Sequence, residues 1–332
     1  MKKKRFADFS DLGERYPELE KFIHGTEPLE GLFEIEGDWN KERARLYKKL
    51  YKGIGYTCYN TLRLPNNNIL RVKTEYTNPM GNSHYSRFWL PYLFLAEVTG
   101  QITPGESKLL EITSGNSGIA LAMAARELGY DLTILIPESL PYKGRVAPME
   151  AKGAKVVKIK GYVKECMGQL KRMLVKDKDY FALNHSEEKG DVLVHIMKRI
   201  AKEYDRDFGT PDYVISGIGN GTSTMAMYEY FKDRHTKIIG YYPFEKDIVL
   251  GLYVEETKLR HVPLAKAICE KLVDTNELDL DEIKESIKHN TELKNLGPSS
   301  LYAIGIAMEM AKKTQGKTFF SLGYDKIDRY EP

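Results

Sequence analysis

Residues 108–128 read KLLEITSGNSGIALAMAAREL: a short apolar run, a turn of small polar residues and an alanine-rich segment, with no break between them. The run KLLEI has the length and composition of a buried strand. From Ser117 to Leu128 the sequence is apolar on nearly every side of a helix, which predicts a helix packed deep between neighbours. Strand, tight turn and helix in that order are the repeating unit of a parallel sheet covered by helices.

The alternation continues in both directions. Apolar runs recur as NILRVKTEY from Asn68, LTILI from Leu132, AKVVKI from Ala154, DYVIS from Asp212, KIIGYY from Lys237 and TFFSL from Thr318. Further helical patterns start near Ser86, Val163, Lys189, Thr222, Asp279 and Ser299. With 332 residues against roughly 150 for a typical domain, the chain has room for two domains, each with its own core. The expected class is α/β: two doubly wound, mainly parallel sheet domains with a cleft between them. Residues 1–50 are instead crowded with charge and short of β-branched residues, and are read as an N-terminal extension. Within it Trp39, Arg43, Leu46, Tyr47, Leu50 and Tyr51 share one helical face, which predicts an amphipathic helix docked on the main body.

Composition narrows the function classes. Fifty basic against forty-seven acidic side chains leave +3, and 42% hydrophobic with 29% charged residues is ordinary for a soluble globular protein. Neither a nucleic-acid nor a membrane partner is expected. No apolar stretch of about 18 residues occurs, and the basic start MKKKRFADFSDL lacks the apolar core of a secretion signal. Lys2, Lys3, Lys4 and Arg5 read as a solvated tail. The three cysteines, Cys58, Cys166 and Cys269, are widely spaced, which fits a reducing cytoplasm and argues against a structural metal.

In folds of this class ligands sit at the carboxyl ends of strands, where helix N-termini offer amides and partial positive charge. Four segments are placed there. Thr113, Ser114, Gly115, Asn116, Ser117 and Gly118 can wrap a carboxylate, whereas plain helix capping needs only Ser114 or Asn116. Ser216 to Ser223, SGIGNGTS, carries three glycines in five positions and forms a nest suited to phosphate. A dinucleotide fingerprint is excluded, because Thr222 stands at the third glycine position and no acidic residue closes a second strand about 20 residues on. Asn78 to Arg87, NPMGNSHYSR, forces a turn capped by Ser83 or Ser86, and its His84 can act as acid or base near neutral pH. Gly297, Pro298, Ser299 and Ser300 open the last long helix, either as a cap or as a hydroxyl offered to a ring nitrogen.

Taken in order, these segments resemble the cysteine synthase and cystathionine β-synthase family of fold type II pyridoxal-phosphate enzymes, which reads NPxxSxKxR, TSGNTG, GTGTGGT and GxSSG. The resemblance runs from about Gly55 to Ser321 and includes IPESLPYKGRVAPMEAKGAKVV, residues 136–157. It implies a tryptophan synthase β-subunit-like fold, with 51–90 and 191–332 as the larger cofactor domain and 91–190 as the smaller substrate domain. It also implies that Thr113, Ser114, Asn116 and Ser117 hold a substrate carboxylate with help from His185 or Asn184, Asn116 also lying near the cofactor's ring hydroxyl. Gly217, Gly219, Asn220, Gly221, Thr222 and Ser223 would hold the phosphate, and Ser299 or Ser300 would face the pyridine nitrogen, an arrangement that goes with β-elimination and β-replacement. A homodimer is implied as well.

The departure lies at the cofactor-attachment lysine. Counting back from Arg87 puts Tyr85 at that position; counting forward from Asn78 puts His84 there, the two counts differing by one because Asn82 looks inserted. A link to the cofactor aldehyde requires a primary amine, which neither side chain has. Cys58 for proline and Leu301 for glycine are smaller departures. The candidate catalytic residues are thus Tyr85, His84 and Ser83, acting on a small amino acid with noncovalently held pyridoxal 5'-phosphate. Lys143 is the candidate for a displaced lysine. The alternative is a noncatalytic homologue, a sensor or partner subunit, that binds an amino acid or phosphate ligand.

Overall fold

The computed structural model describes residues 5–25, 29–34, 40–113, 115–244, 249–252 and 259–332. Trp39, Ser114 and Lys2 to Lys4 lie outside the described residues. Among the described residues there are ten strands: β1 (Tyr59–Leu64), β2 (Asn68–Lys73), β3 (Lys108–Ile112), β4 (Leu132–Pro137), β5 (Lys155–Ile159), β6 (Tyr180–Ala182), β7 (Tyr213–Gly217), β8 (Lys237–Tyr242), β9 (Lys271–Asp274) and β10 (Thr318–Leu322). They form two sheets, β5-β4-β3-β6, wholly parallel, and β1-β2-β10-β7-β8-β9, parallel except for the antiparallel β1–β2 pair. The protein is therefore α/β with two parallel-sheet domains. Every apolar run read from the sequence is a strand. Three strands escaped that reading because β1 is half-exposed and β6 and β9 are edge segments of three and four residues, too short for a period to register.

The chain divides into two compact units: residues 1–54 with 78–196 and Pro332, and residues 55–77 with 197–331. The expected boundaries differ: residues 51–54, 78–90 and 191–196, read as part of the cofactor domain, group with the unit that holds β3 to β6. For 78–90 the reason is packing within the first unit. At Gly81, with φ +85, a Cβ would stand 2.7 Å from Ala120 Cα, so the 78–82 turn lies directly on the helix Asn116–Leu128. Trp89, on the helix Ser86–Val98 and wholly buried, donates through Nε1 to the Ser117 carbonyl at 2.9 Å. The helix Asn116–Leu128 is buried along nearly its whole length, as its all-round apolar sequence requires.

Residues 1–50 are also more than an appendage. Residues 6–8 extend the four-stranded sheet beyond β6: Ala7 N–H donates to the Ala182 carbonyl at 3.0 Å and Ala182 N–H to the Arg5 carbonyl at 2.9 Å. Arg5, expected in a solvated tail, instead donates to the carbonyls of Leu174, Asp177 and Tyr180. The sequence hid this because a single short strand and an arginine at a helix C-terminus carry no periodicity.

The amphipathic helix is Lys41–Tyr51, with Ala44, Tyr47 and Tyr51 buried and Asn40 capping it through Oδ1. Glu97 anchors it. Arg43 holds that carboxylate with Nε at 3.0 Å and Nη2 at 2.7 Å, and the Tyr47 and Tyr130 hydroxyls donate to Oε1 at 2.6 and 2.8 Å. Burial and the adjacent carboxylate push both phenols well above their ordinary value. The folded state thus keeps two protons that the unfolded chain releases near pH 10. The stabilisation is complete below that pH and is lost as pH rises beyond it, at up to about 1.4 kcal/mol per pH unit per phenol. The melting temperature is expected to fall more steeply between pH 10 and 11.5 in the wild-type chain than in Tyr47→Phe; equal slopes would show that this cluster is not responsible.

Candidate active site

Predicted site residues fall in both units. In the first unit, β3 delivers Glu111 and Thr113 to the start of the helix Asn116–Leu128. Thr113 Oγ1 accepts the Gly115 N–H at 3.1 Å, and Asn116 and Ser117 are buried in the first turn. A carboxylate suits that turn, because the helix presents partial positive charge there.

The Asn78–Arg87 loop lies beside it. Ser83 and His84 are buried, Asn82 is exposed with φ +50, and the helix that follows begins at Ser86. The His84 and Tyr85 rings lie 4.0 Å apart. Tyr85 also stands edge-on to His185 at 6.1 Å, so the Asn78–Arg87 loop and His185 share one cluster. His185 is packed by Phe88 at 5.9 Å and Trp89 at 5.4 Å, and its Nε2 is 3.5 Å from Ser117 Oγ. Of the predicted residues of this unit, Ser83, His84, Tyr85, Thr113, Asn116, Ser117 and His185 are described.

Two residues of this unit escaped the sequence reading. Glu111, 1% exposed, accepts the His185 N–H at 3.1 Å; an acidic residue inside an apolar run was its only signal. Arg145, also 1% exposed, lies against Gly115, where a Cβ would stand 2.0 Å from Nη1. Lys143, the candidate displaced lysine, is exposed, so the buried cation of that turn is the guanidinium two residues later. A guanidinium forms no imine.

In the second unit, β7 runs into the glycine loop and the helix Thr222–Phe231. Gly217 N–H donates to Tyr324 OH at 3.1 Å, Ile218 N–H to the Tyr241 carbonyl, and Thr222 N–H to Asn220 Oδ1 at 3.1 Å. The amides of Gly219, Asn220, Gly221 and Ser223 are left without such a partner among the described residues. Thr222 Oγ1 is buried and likewise has none. Only glycine fits the loop: a Cβ on Gly219 would stand 2.6 Å from the Gly251 carbonyl oxygen, and Gly221 has φ +86. Amides at a helix start plus an unengaged hydroxyl match the acceptor-only surface of a phosphate.

Ser299 and Ser300 belong to the same cluster. Ser300 Oγ accepts the Tyr324 N–H at 2.9 Å, while Tyr241 OH donates to the Ser299 carbonyl at 2.5 Å. Ser299 Oγ lies 3.3 Å from Tyr330 OH, which is 3.2 Å from Asp325 Oδ2. Burial pushes the Tyr241 and Tyr324 phenols up, so both stay neutral donors. Tyr241 was missed because an aromatic in a strand reads as core, and Tyr324 because it follows β10 in a segment without periodicity.

Replacing the orphaned hydroxyl tests the cradle. Thr222→Val removes no hydrogen bond of the described protein, so stability is expected to change little. Binding of pyridoxal phosphate should weaken about 10- to 100-fold, the worth of one hydrogen bond to a charged group. Equal affinity in a fluorescence titration would place the phosphate elsewhere.

The residues present thus fit a phosphorylated aldehyde at its phosphate, and offer it no lysine at residues 78–87. Comparison with known proteins supports the cofactor. The profile of the family described as "Pyridoxal-phosphate dependent enzyme" matches residues 52–317. Cysteine synthase B of Pseudomonas aeruginosa is 26% identical over 273 residues, 81% of this chain and 90% of that protein. Among solved structures, O-ureido-L-serine synthase superposes with a TM-score of 0.74 at 22% identity, covering 85% of this chain and 92% of the other. The O-acetylserine dependent cystathionine beta-synthase from Helicobacter pylori gives 0.73 at 22% identity, over 85% and 96%. A match across residues 52–317, on a fold shared with these synthases, means that this chain belongs to the pyridoxal-phosphate dependent enzyme family, whose cofactor is pyridoxal 5'-phosphate.

Proposed function

We propose that this protein binds pyridoxal 5'-phosphate without a covalent tether and acts on a small amino acid by β-elimination or β-replacement. The observation that carries the proposal is the pairing of an intact cradle, with Thr222 Oγ1 buried and unengaged, and a 78–87 loop without lysine. The exposed, left-handed Asn82 supports the register that counts back from Arg87, since an inserted residue is most easily absorbed where its side chain meets solvent. That register sets Tyr85 at the lysine position.

The bound cofactor supplies an electron sink for charge developing at the amino acid's α-carbon. The chain's own residues do the rest. The Gly217–Ser223 loop and Thr222 hold the phosphate, and Ser299 or Ser300 offers a neutral hydroxyl to the ring nitrogen. Asn116, Ser117 and Thr113 hold the amino-acid carboxylate at the helix start, where the first-turn amides favour negative charge. His84 and Tyr85 shield the reacting carbon and move protons.

The second reading, a sensor that binds an amino acid without turning it over, is favoured by the loss of the primary amine. One experiment separates the two. The purified chain is mixed with pyridoxal phosphate, and serine, cysteine or O-acetylserine is added while the absorption spectrum and the released product are followed. An enzyme shows a substrate-dependent spectral change with consumption of the amino acid. A sensor shows saturable change without consumption. An unchanged spectrum with every amino acid contradicts both.

A further inference from the structure

β9 is the outermost strand of the six-stranded sheet in the second unit. Along a strand, the N–H and C=O of one residue point to one side and those of the next residue to the other. Glu270 N–H donates to the Ile238 carbonyl at 2.9 Å, toward β8, so the amides and carbonyls of Lys271 and Val273 point away from the sheet. None of these outward groups has a hydrogen-bond partner among the described residues.

The Lys271 and Val273 side chains line a groove of about 360 Å³ between that edge and the helices Leu280–Ser286 and Pro298–Ala311. Its apolar lining is Val273, Leu278, Ile283, Ile306, Met308 and Met310. Gly305 lets the two helices close on each other, since a Cβ there would stand 2.4 Å from Ile283 Cδ1. The charged lining is unbalanced, Glu277, Asp279, Glu282 and Glu309 standing against Lys271 and Lys312. Asp279 is engaged as the cap of the helix Leu280–Ser286, accepting the Asp281 and Glu282 N–H at 2.8 and 3.2 Å, and Glu309 is held by Lys312 at 2.5 Å. Glu277 and Glu282 are exposed and form no ion pair among the described residues.

We propose that β9 and this groove dock an extended segment of a partner protein that carries apolar and basic residues on one face. The segment adds to the sheet as a further strand, its backbone pairing with the outward groups of Lys271 and Val273. On the groove side its apolar side chains meet the Val273 and Met308 surface, and its lysines or arginines meet Glu277 and Glu282. A second copy of this chain fits the edge poorly. Pairing β9 with itself antiparallel, Lys271 opposite Val273, sets Glu270 opposite Asp274, two like charges face to face. This docking is independent of the proposed chemistry.

The test uses the whole chain and a fluorescein-labelled peptide, KVVKKVVK, which as a strand shows both lysine and valine on either face, with EVVEEVVE as control. Fluorescence anisotropy should show saturable binding of the lysine peptide that weakens as salt rises, and none of the glutamate peptide. Hydrogen exchange followed by NMR should slow at the Lys271 and Val273 amides when the lysine peptide is bound. Glu277→Lys with Glu282→Lys should weaken binding at least about 10-fold. Val273→Pro removes one outward N–H, a change an edge strand tolerates, and should weaken binding as much with far-UV circular dichroism unchanged. No binding, equal affinity for the two peptides, or binding that leaves both amides exchanging as before overturns the inference. Concentration-dependent self-association in ultracentrifugation that slows the same two amides also overturns it, by making a second copy the occupant.

Discussion

Tyr85→Lys is expected to convert reversible cofactor binding into covalent capture. The substitution supplies a primary amine where the register from Arg87 puts the family's lysine. Tyr85 lies next to His84 and His185 and is half-buried. Borohydride treatment in the presence of pyridoxal phosphate should then fix close to one cofactor per chain, mapped to position 85, against essentially none in the wild type. His84→Lys serves as the comparison for the other register. Fixation in His84→Lys and not in Tyr85→Lys would reverse the assignment, and fixation in neither would show that the loop does not reach the cofactor.

The second large effect is on stability. Lys73, at the end of β2, is wholly buried, and its ammonium meets Glu203 Oε2 at 2.8 Å, donates to the Thr57 carbonyl at 2.8 Å and lies 4.1 Å over the Tyr59 ring. Glu203 in turn accepts the Tyr56 N–H at 3.0 Å. Taking one charge from such a pair leaves the other in a low-dielectric interior. Lys73→Met is therefore expected to cost about 3–5 kcal/mol, read as a lower midpoint in urea denaturation. Lys73→Met with Glu203→Leu should recover most of that loss, because the desolvation of both charges disappears together. A double variant no more stable than Lys73→Met would mean that the cost comes from packing.

The contrast between these two positions explains what the sequence reveals. The parallel sheets were legible because KLLEI, LTILI and DYVIS are short, mainly apolar runs, and KLLEI and DYVIS each lead through a turn into a helical pattern. The glycine loop and the helix-start turn were legible because backbone demands, left-handed φ at Gly221 and contact of Gly219 with the Gly251 carbonyl, restrict residue type directly. Groups that act across the fold leave no such mark. Glu111 and His185 are 74 residues apart and meet only because β3 and the chain after β6 run side by side. Arg145 was overlooked for Lys143 because sequence order cannot say which side of a turn faces inward. Tyr324 and Tyr330 reach Gly217 and Ser299 from the far end of the chain.

Burial pushes Cys166 and Cys269 up to about 12, so both stay protonated at neutral pH.

An equilibrium titration with pyridoxal 5'-phosphate, run in parallel with unphosphorylated pyridoxal, most directly tests whether the cradle works without its anchor. Saturable binding of the phosphorylated aldehyde at one per chain, far tighter than that of pyridoxal and fully reversed by gel filtration, is the predicted result. Equal affinity for the two aldehydes, or a cofactor that stays attached through a lysine of the wild-type chain, would contradict it.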